Sequence, residues 1–436
     1  MERDIYQKLK QWKDSSNRKP LVLQGARQTG KTYILKQFGT KEYDSLVYCN
    51  FEEEPLLKDF FTADLRPQRI IETLTLYKKQ EIRPGRDLLF FDEIQVSNGA
   101  LNSLKYFCED APQYHVVAAG SLLGLRLSTP SSFPVGKVTL MDLFPMTMLE
   151  FLDAIGQSAH RKMLEGIERI EPIEPPLHEQ LVQMLKSYYF VGGMPEAVAQ
   201  YAISGSYSLV RSIQTDILRT YALDFAKHAA TLDHAKLTAV WDSIPSHLAR
   251  ENKKFIFSAV AKSGRGREYE SSLQWLKDTG LINIAYRVKT ISAPLSGFTD
   301  RSMFKVYSLD TGLLGAMARL SPETIVMGDN LFTIFNGCLV ENYAAQQLCA
   351  SGMPLYYWKS EHHASEIDFL IEQPSSILPL EVKAGVNPKS KSLRSFADKY
   401  KPRMLLRSSL LNLMRNGEIL NIPLYAINVL EKLLTK

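Results

Sequence analysis

The chain has 436 residues, with 52 Lys plus Arg against 47 Asp plus Glu, a formal net charge of +5 and 45% hydrophobic residues. That length exceeds one ordinary core and predicts roughly three compact units of about 150 residues each, while the near-balance of charge excludes a protein whose whole surface neutralises phosphate. Four cysteines, Cys49, Cys108, Cys338 and Cys349, lie without C-x-x-C pairing, which argues against a structural zinc site or a disulfide framework and for a reducing compartment.

Met1 to Lys10 mixes Glu2, Arg3, Asp4, Lys8 and Lys10 with apolar residues and lacks the apolar segment of a secretory signal. No uncharged apolar run reaches the roughly 18 residues that span a bilayer, so a cytoplasmic protein without a membrane partner is expected. Pro20 to Gln24 reads as a short buried strand, and Lys31 to Phe38 as a helix stopped by Gly39 as a C-cap. Between them stands Gly25-Ala26-Arg27-Gln28-Thr29-Gly30-Lys31-Thr32, a complete G-x-x-x-x-G-K-[ST] phosphate loop in its strand-to-helix setting, with Tyr33 following. The glycines let backbone N–H groups curl around a β-phosphate at a helix N-terminus, Lys31 would neutralise the β- and γ-phosphates, and the Thr32 hydroxyl would ligate magnesium.

A second strand is expected over Leu46 to Tyr48, followed by Glu52 to Glu54 as a solvated helix start. Asp87 to Asp92 then describes a central parallel strand that ends in Asp92-Glu93. Asp92 would hold Mg2+ through water, and Glu93 would orient and polarise the attacking water. A third strand, Tyr114 to Ala119, ends at Gly120-Ser121, where Ser121 either senses the γ-phosphate and its nucleophilic water or caps the next helix.

The series GARQTGKT, FFDEIQ, AAGSLLG, PVGKVTLMDLFPMTMLEFL and VGGMPEAV resembles the AAA-type ATPases of bacteria and archaea that carry a C-terminal domain of unknown function, over essentially the whole chain. The resemblance implies an α/β multidomain protein with ATP as cofactor. Many members of that family have Gly-Arg where this sequence has Gly136-Lys137. That departure puts a trans-acting arginine finger in doubt, leaves Arg126 as a substitute, and keeps a monomeric or weakly active ATPase open alongside a homo-oligomer.

From Leu149 to about Leu223 the pattern turns helical and resembles the small lid behind an AAA core, with Tyr188, Tyr189 and Phe190 expected in its packing. Phe255 to Ala261 and Arg267 to Asp278 suggest two helices, and strands over Leu281 to Tyr286 and Phe304 to Tyr307 would complete a winged helix. Lys253, Lys254, Lys262, Arg265 and Arg267 would track nucleic-acid phosphates if that element binds DNA or RNA; a purely structural winged helix stays equally open. Asp310 reads as a helix N-cap rather than a catalytic acid.

Asn336 to Cys349 reads as a helix carrying Glu341, followed by strands at Leu355 to Trp358, Glu366 to Ile371 and Leu378 to Ala384. Asp368 and Glu381 on adjacent strands can converge on one Mg2+, with Lys383 beside Glu381 and Glu341 as a further ligand or water-polarising group. Ile367-Asp368 with Glu381-Val382-Lys383 resembles the core signature of the PD-(D/E)XK nuclease fold, as an active phosphodiesterase or an inactive relic. His362 and His363 read as a solvated hairpin tip or as metal ligands, and Lys389 to Arg403 is the strongest basic patch. The expected organisation is an AAA-type core over 1–150, a helical lid over 151–235, a winged-helix-like segment over 236–330 and a nuclease-like domain over 331–436. DNA or RNA would bind through 253–267 and 383–403, and a protein partner is the alternative.

Overall fold

A computed structural model of the chain describes residues 1–62, 64–120, 134–227, 233–250, 253–260, 266–324, 333–360, 365–385 and 390–434. Residues 2–144 with 278–280 form one unit, and residues 145–277 with 281–436 form the other.

In the first unit the chain runs through α1 (Ile5–Asp14), β1 (Leu21–Gln24), α2 (Lys31–Glu42), β2 (Ser45–Asn50), α3 (Pro67–Lys78), β3 (Asp87–Asp92), α4 (Asn98–Asp110), β4 (His115–Gly120) and β5 (Thr139–Asp142). The strands pair in the order β2-β3-β4-β1-β5, every pair parallel. Alternation along each strand sends neighbouring residues to opposite faces. Leu21, Leu23, Leu88, Phe90, Val117 and Ala119 pack with Ile5, Leu9, Trp12, Ile34 and Phe38 from α1 and α2. Val22, Leu89, Phe91, Val116 and Ala118 pack with Ile70, Leu74, Leu101 and Phe107 from α3 and α4. Because both faces are covered, these strands read as unbroken apolar runs.

Gly39 does not stop α2, which continues to Glu42. A Cβ at Gly39 would lie 2.7 Å from Leu46 Cδ1, so the glycine serves close helix-to-strand packing. Glu52 and Glu53 are exposed, as expected, but the turn they occupy is closed by Asn50, whose Oδ1 accepts from both of their amides at 2.9 and 3.2 Å. Ser121 and Arg126 lie outside the described residues.

The second unit begins with α5 (Met148–Ala154), α6 (Ser158–Glu165), α7 (Pro175–Val191), α8 (Pro195–Ser204) and α9 (Tyr207–Lys227), the helical stretch expected from periodicity. Tyr188, Tyr189 and Phe190 are buried there. Then follow α10 (His234–Leu248), α11 (Gly266–Asp278), β6 (Ile282–Val288), β7 (Thr299–Ser308) and α12 (Thr311–Met317). Within the described part of 255–261 only a 3-10 turn, Phe257–Ala259, forms in place of the expected helix. The β6–β7 hairpin is antiparallel as expected, but β6 also pairs in parallel with a later strand. The hairpin is thereby built into a sheet with residues beyond 350.

The chain closes with α13 (Thr333–Ala350), β8 (Tyr356–Lys359), β9 (Glu366–Ile367), β10 (Phe369–Gln373), β11 (Ser376–Val382), α14 (Lys391–Tyr400), β12 (Leu405–Ser409), β13 (Met414–Asn416), β14 (Ile419–Pro423) and α15 (Leu430–Leu434). One sheet has the order β7-β6-β8-β9 and the other β10-β11-β12-β14-β13. The strand expected over 366–371 is therefore interrupted at Asp368, where the chain passes from the first sheet to the second.

A buried polar network ties these helices together. Asp310 caps α12 by accepting from Leu313 N at 2.9 Å, and its other oxygen accepts from Gly193 N at 2.6 Å and Gln346 Nε2 at 3.1 Å. Gln346 and Gln347 also donate to the Tyr188 hydroxyl at 3.0 and 3.1 Å, while Tyr188 donates to Met146 O. The Gly192-Gly193 pair is fixed by this closeness: a Cβ at Gly192 would lie 2.2 Å from Asp310 Oδ1, and one at Gly193 2.1 Å from Met146 O. Asp310→Ala leaves several buried donors without an acceptor and is expected to destabilise the second unit by about 3 kcal/mol or more. Urea denaturation followed by tryptophan fluorescence checks this; a loss under about 1 kcal/mol would show that the network contributes little.

Candidate functional site

The parallel order of the first unit brings the C-terminal ends of β1, β3 and β4 to one edge of the sheet. At the end of β1 the chain turns through 25–30, with Gly30 at φ 96° handing over to the first residue of α2. Lys31 is only 7% exposed. Its Nζ donates to Gly25 O and Ala26 O, each at 2.8 Å, and Thr29 Oγ1 donates to Ala26 O at 2.8 Å. Burial lowers the Lys31 pKa from 10.5 to about 8, with Glu93 and Asp92 opposing the shift. An anion arriving at the loop would favour the charged form further. Thr32 is half-buried beside Lys31, whereas Tyr33 is 60% exposed.

Asp92 ends β3 and is 2% exposed. Its Oδ2 accepts from the Tyr48 hydroxyl at 2.9 Å, and Tyr48 in turn accepts from Asn50 Nδ2 at 3.0 Å. Glu93 follows in the left-handed conformation, φ 50°, and Gln95 Nε2 donates to its carboxylate. Burial raises the Glu93 pKa, with the Gln95 bond opposing. The sequence places Tyr48 at a strand end and Gln95 at the end of the FFDEIQ motif without giving either an acid as partner; the alternation of β2, which puts residue 48 on the same pleat as residue 50, is a further local hint. The Thr32 hydroxyl and the Asp92 carboxylate are hard oxygen donors of the kind that hold Mg2+ when substrate phosphates supply the rest of its shell. Lys137 is tied to Glu109 at 2.9 Å.

The C-terminal candidates meet differently from expectation. Glu341 is 2% exposed, and its carboxylate is engaged by Lys253 Nζ on one oxygen and by Lys305 Nζ at 3.0 Å and the Tyr307 hydroxyl at 2.6 Å on the other. Lys305, on β7 and 1% exposed, also pairs with Glu366 at 2.5 Å and approaches Asp368 at 4.0 Å. Asp368 Oδ2 accepts from Val382 N at 2.8 Å, and Lys383 pairs with Glu381 at 2.9 Å. The ammonium of Lys305 therefore stands among Glu341, Glu366 and Asp368, while Glu381 pairs with Lys383. Among the described residues no group of three or more His, Cys, Asp or Glu side chains is placed to hold a metal ion.

Lys253, expected on a nucleic-acid face, is instead turned inward to Glu341. Lys262 and Arg265, His362 and His363, and Lys389 lie outside the described residues. Lys391, Arg394, Lys399, Lys401 and Arg403 are exposed on and just beyond α14, whose Leu393 and Phe396 are buried. No helix among the described residues is long and apolar enough to cross a membrane.

Residues 17–152 match the family model of an AAA domain, and with the phosphate loop and parallel sheet they form an α/β P-loop NTPase core. Residues 182–324 and 336–427 match two models each described as a domain of unknown function, DUF8612 and DUF4143. No curated protein matches this chain. Similar solved structures include the Walker-type ATPase PABY2304 of Pyrococcus abyssi, at 14% identity and a TM-score of 0.45, covering 72% of this chain and 94% of that one. They include also the Orc1 protein of Aeropyrum pernix in complex with DNA, at 12% identity and a TM-score of 0.30, covering 72% and 90%. DnaA of Aquifex aeolicus bound to AMPPCP shares 13% identity at a TM-score of 0.29, covering 63% and 86%. Likeness at these levels carries no weight for function.

In the charge cluster, burial would raise Glu341, but Lys253 and Lys305 outweigh it and hold its pKa down at about 2. Asp368 keeps 18% of its side chain exposed, yet burial, reinforced by the Glu341 charge, pushes its pKa from 3.8 up to about 7. A carboxyl raised on folding contributes stability that is full below its unfolded pKa and is lost as pH rises through the folded one. Relative to Asp368→Asn, the wild-type protein should therefore lose stability between pH about 4 and about 7. Urea titrations of both proteins across that range check it; parallel stability curves would show that Asp368 does not titrate there.

Proposed function

We propose that the chain binds ATP with Mg2+ at the phosphate loop of its first unit and hydrolyses it. The observation that carries this is the buried Lys31 amine, held on its own loop's carbonyls with no carboxylate among the described residues in hydrogen-bond reach, at the sheet edge where Asp92 and Glu93 also end. In this scheme the 25–30 amides and Lys31 bind the phosphates, and Thr32 and Asp92 would hold the metal. Mg2+, when bound, would neutralise charge on the β- and γ-phosphates. Glu93, with its pKa raised and its carboxylate oriented by Gln95, takes up a proton from water as general base. Ser121, which follows Gly120 in the sequence, remains a candidate γ-phosphate sensor.

Lys31→Ala is expected to melt at or above the wild-type temperature without nucleotide, because it removes a buried amine that is costly to keep charged near neutral pH. The wild type should be stabilised by ATP and Mg2+ by about 3 kcal/mol at one hundred times Kd, and the variant not at all. Glu93→Gln should still bind ATP while phosphate release falls by about 100-fold or more. Unchanged ATP affinity in Lys31→Ala would sink the proposal.

For the second unit, the position of Lys305 favours a nucleotide-regulated binding module over a magnesium-dependent nuclease. A fixed ammonium among Glu341, Glu366 and Asp368 supplies the positive charge that a divalent ion would otherwise bring, and it repels one. The exposed basic face of α14 is the surface proposed to meet nucleic acid, with a protein partner as the other outcome. The wild-type protein should leave plasmid DNA and single-stranded RNA intact with Mg2+, with or without ATP. Cleavage that disappears in Asp368→Ala and Lys383→Ala would restore the nuclease assignment. Phosphate release measured with and without DNA separates the two partners, stimulation favouring nucleic acid and a flat response a protein.

A further inference from the structure

Arg3 precedes α1 and is 8% exposed although it lies near the start of the chain. Its Nη1 donates to Thr29 O at 3.0 Å and its Nη2 to Phe144 O at 2.7 Å. The first carbonyl belongs to the phosphate loop, and the second follows β5, which continues alongside β1 through Leu143 N donating to Gln24 O at 2.8 Å. Helix α1 is itself fixed to the core by Ile5, Leu9 and Trp12. One guanidinium fork thus spans the loop and the strand beside it.

We infer that Arg3 is a positioning residue for the phosphate-binding amides, so that the segment ahead of α1 is part of the nucleotide site; this rests on the ATP reading above. The peptide joining Thr29 to Gly30 is planar and trans, which makes its C=O and N–H point in opposite directions. Holding Thr29 O on Arg3 turns the Gly30 N–H away from Arg3. The carbonyls of Gly25 and Ala26 are likewise occupied, by Lys31, so the loop keeps three carbonyl oxygens on protein donors. Lys31 has to leave its carbonyls when it turns to phosphate. Arg3 makes no such exchange, and its bonds keep the 29–30 peptide in register while the nucleotide is bound. A lysine offers a point charge instead of a planar fork and holds one of the two carbonyls but not both.

The test measures ATP, ADP and AMP affinity, nucleotide-free melting temperature and phosphate release for wild type, Lys31→Ala, Arg3→Gln and Arg3→Lys. Arg3→Gln should weaken ATP and ADP about tenfold, the scale of one charge-assisted hydrogen bond, and leave AMP unchanged because it lacks the β-phosphate. Arg3→Lys should fall between, and kcat at saturating ATP should stay within about twofold of wild type in both. Wild-type ATP affinity in Arg3→Gln, or an equal loss for AMP, would overturn the positioning role. If Arg3→Gln does not fold, an unchanged ATP affinity in Arg3→Lys overturns it equally. A wild type that binds no ATP would instead remove the nucleotide reading itself, whereas wild-type binding lost in Lys31→Ala and unaffected in Arg3→Gln removes only the role of Arg3.

Discussion

A parallel sheet delivers every strand end of one polarity to the same edge, and the first unit depends on that constraint. The phosphate loop leaves β1 and the acidic pair leaves β3, with β4 paired between them. No loop has to reach across the molecule to bring a cationic cradle and two carboxylates together. The requirement then falls on the core: both faces of the sheet must be dry, which is why β1, β3 and β4 are buried nearly throughout. Each large apolar side chain in these layers contributes roughly 1.5–3 kcal/mol by leaving water, enough in sum to hold a buried lysine whose charge is unfavourable without a ligand.

The second unit is organised by buried charge of a different kind. Asp310 and Lys305 are each about as inaccessible as Leu309, and each is kept by a complete set of partners. Asp310 draws α12, α13 and the Gly192-Gly193 turn onto a single carboxylate. Lys305 reaches from β7 of the hairpin to acids of α13 and β9 and to the Asp368 junction, so the same ion pairs that balance its charge also knit the hairpin into the C-terminal sheets.

Much of the first unit was legible residue by residue. The strand runs around Leu21, Leu46, Asp87 and Val116, the glycine-lysine loop and the Asp92-Glu93 pair all carry their meaning locally, because backbone conformation and strand ends fix where those groups point. Gly39 was misleading: a glycine near a helix end signals a C-cap by composition, and only the approach of Leu46 reveals that it is there for packing. In the second unit Asp310 was legible as a cap, whereas Gly193 and Gln346, its more distant partners, were not. The interruption at Asp368 was also hidden, since an apolar run does not show which of two sheets each half will join.

By itself the sequence determined the chemistry available and the elements that carry it: a phosphate loop entering a helix, acids at a strand end, a helical middle and a C-terminal run of strands bearing acids and lysines. Spacings of a few residues are enough for this, because they act through hydrogen bonds and periodicities within one element. Tertiary structure alone decided which charges meet. Arg3 finds the carbonyl of Thr29, and Lys305 finds Glu341, across separations of 26 and 36 residues. Those partners are selected by burial, where an unpaired charge is too costly to remain, and no local pattern records that selection.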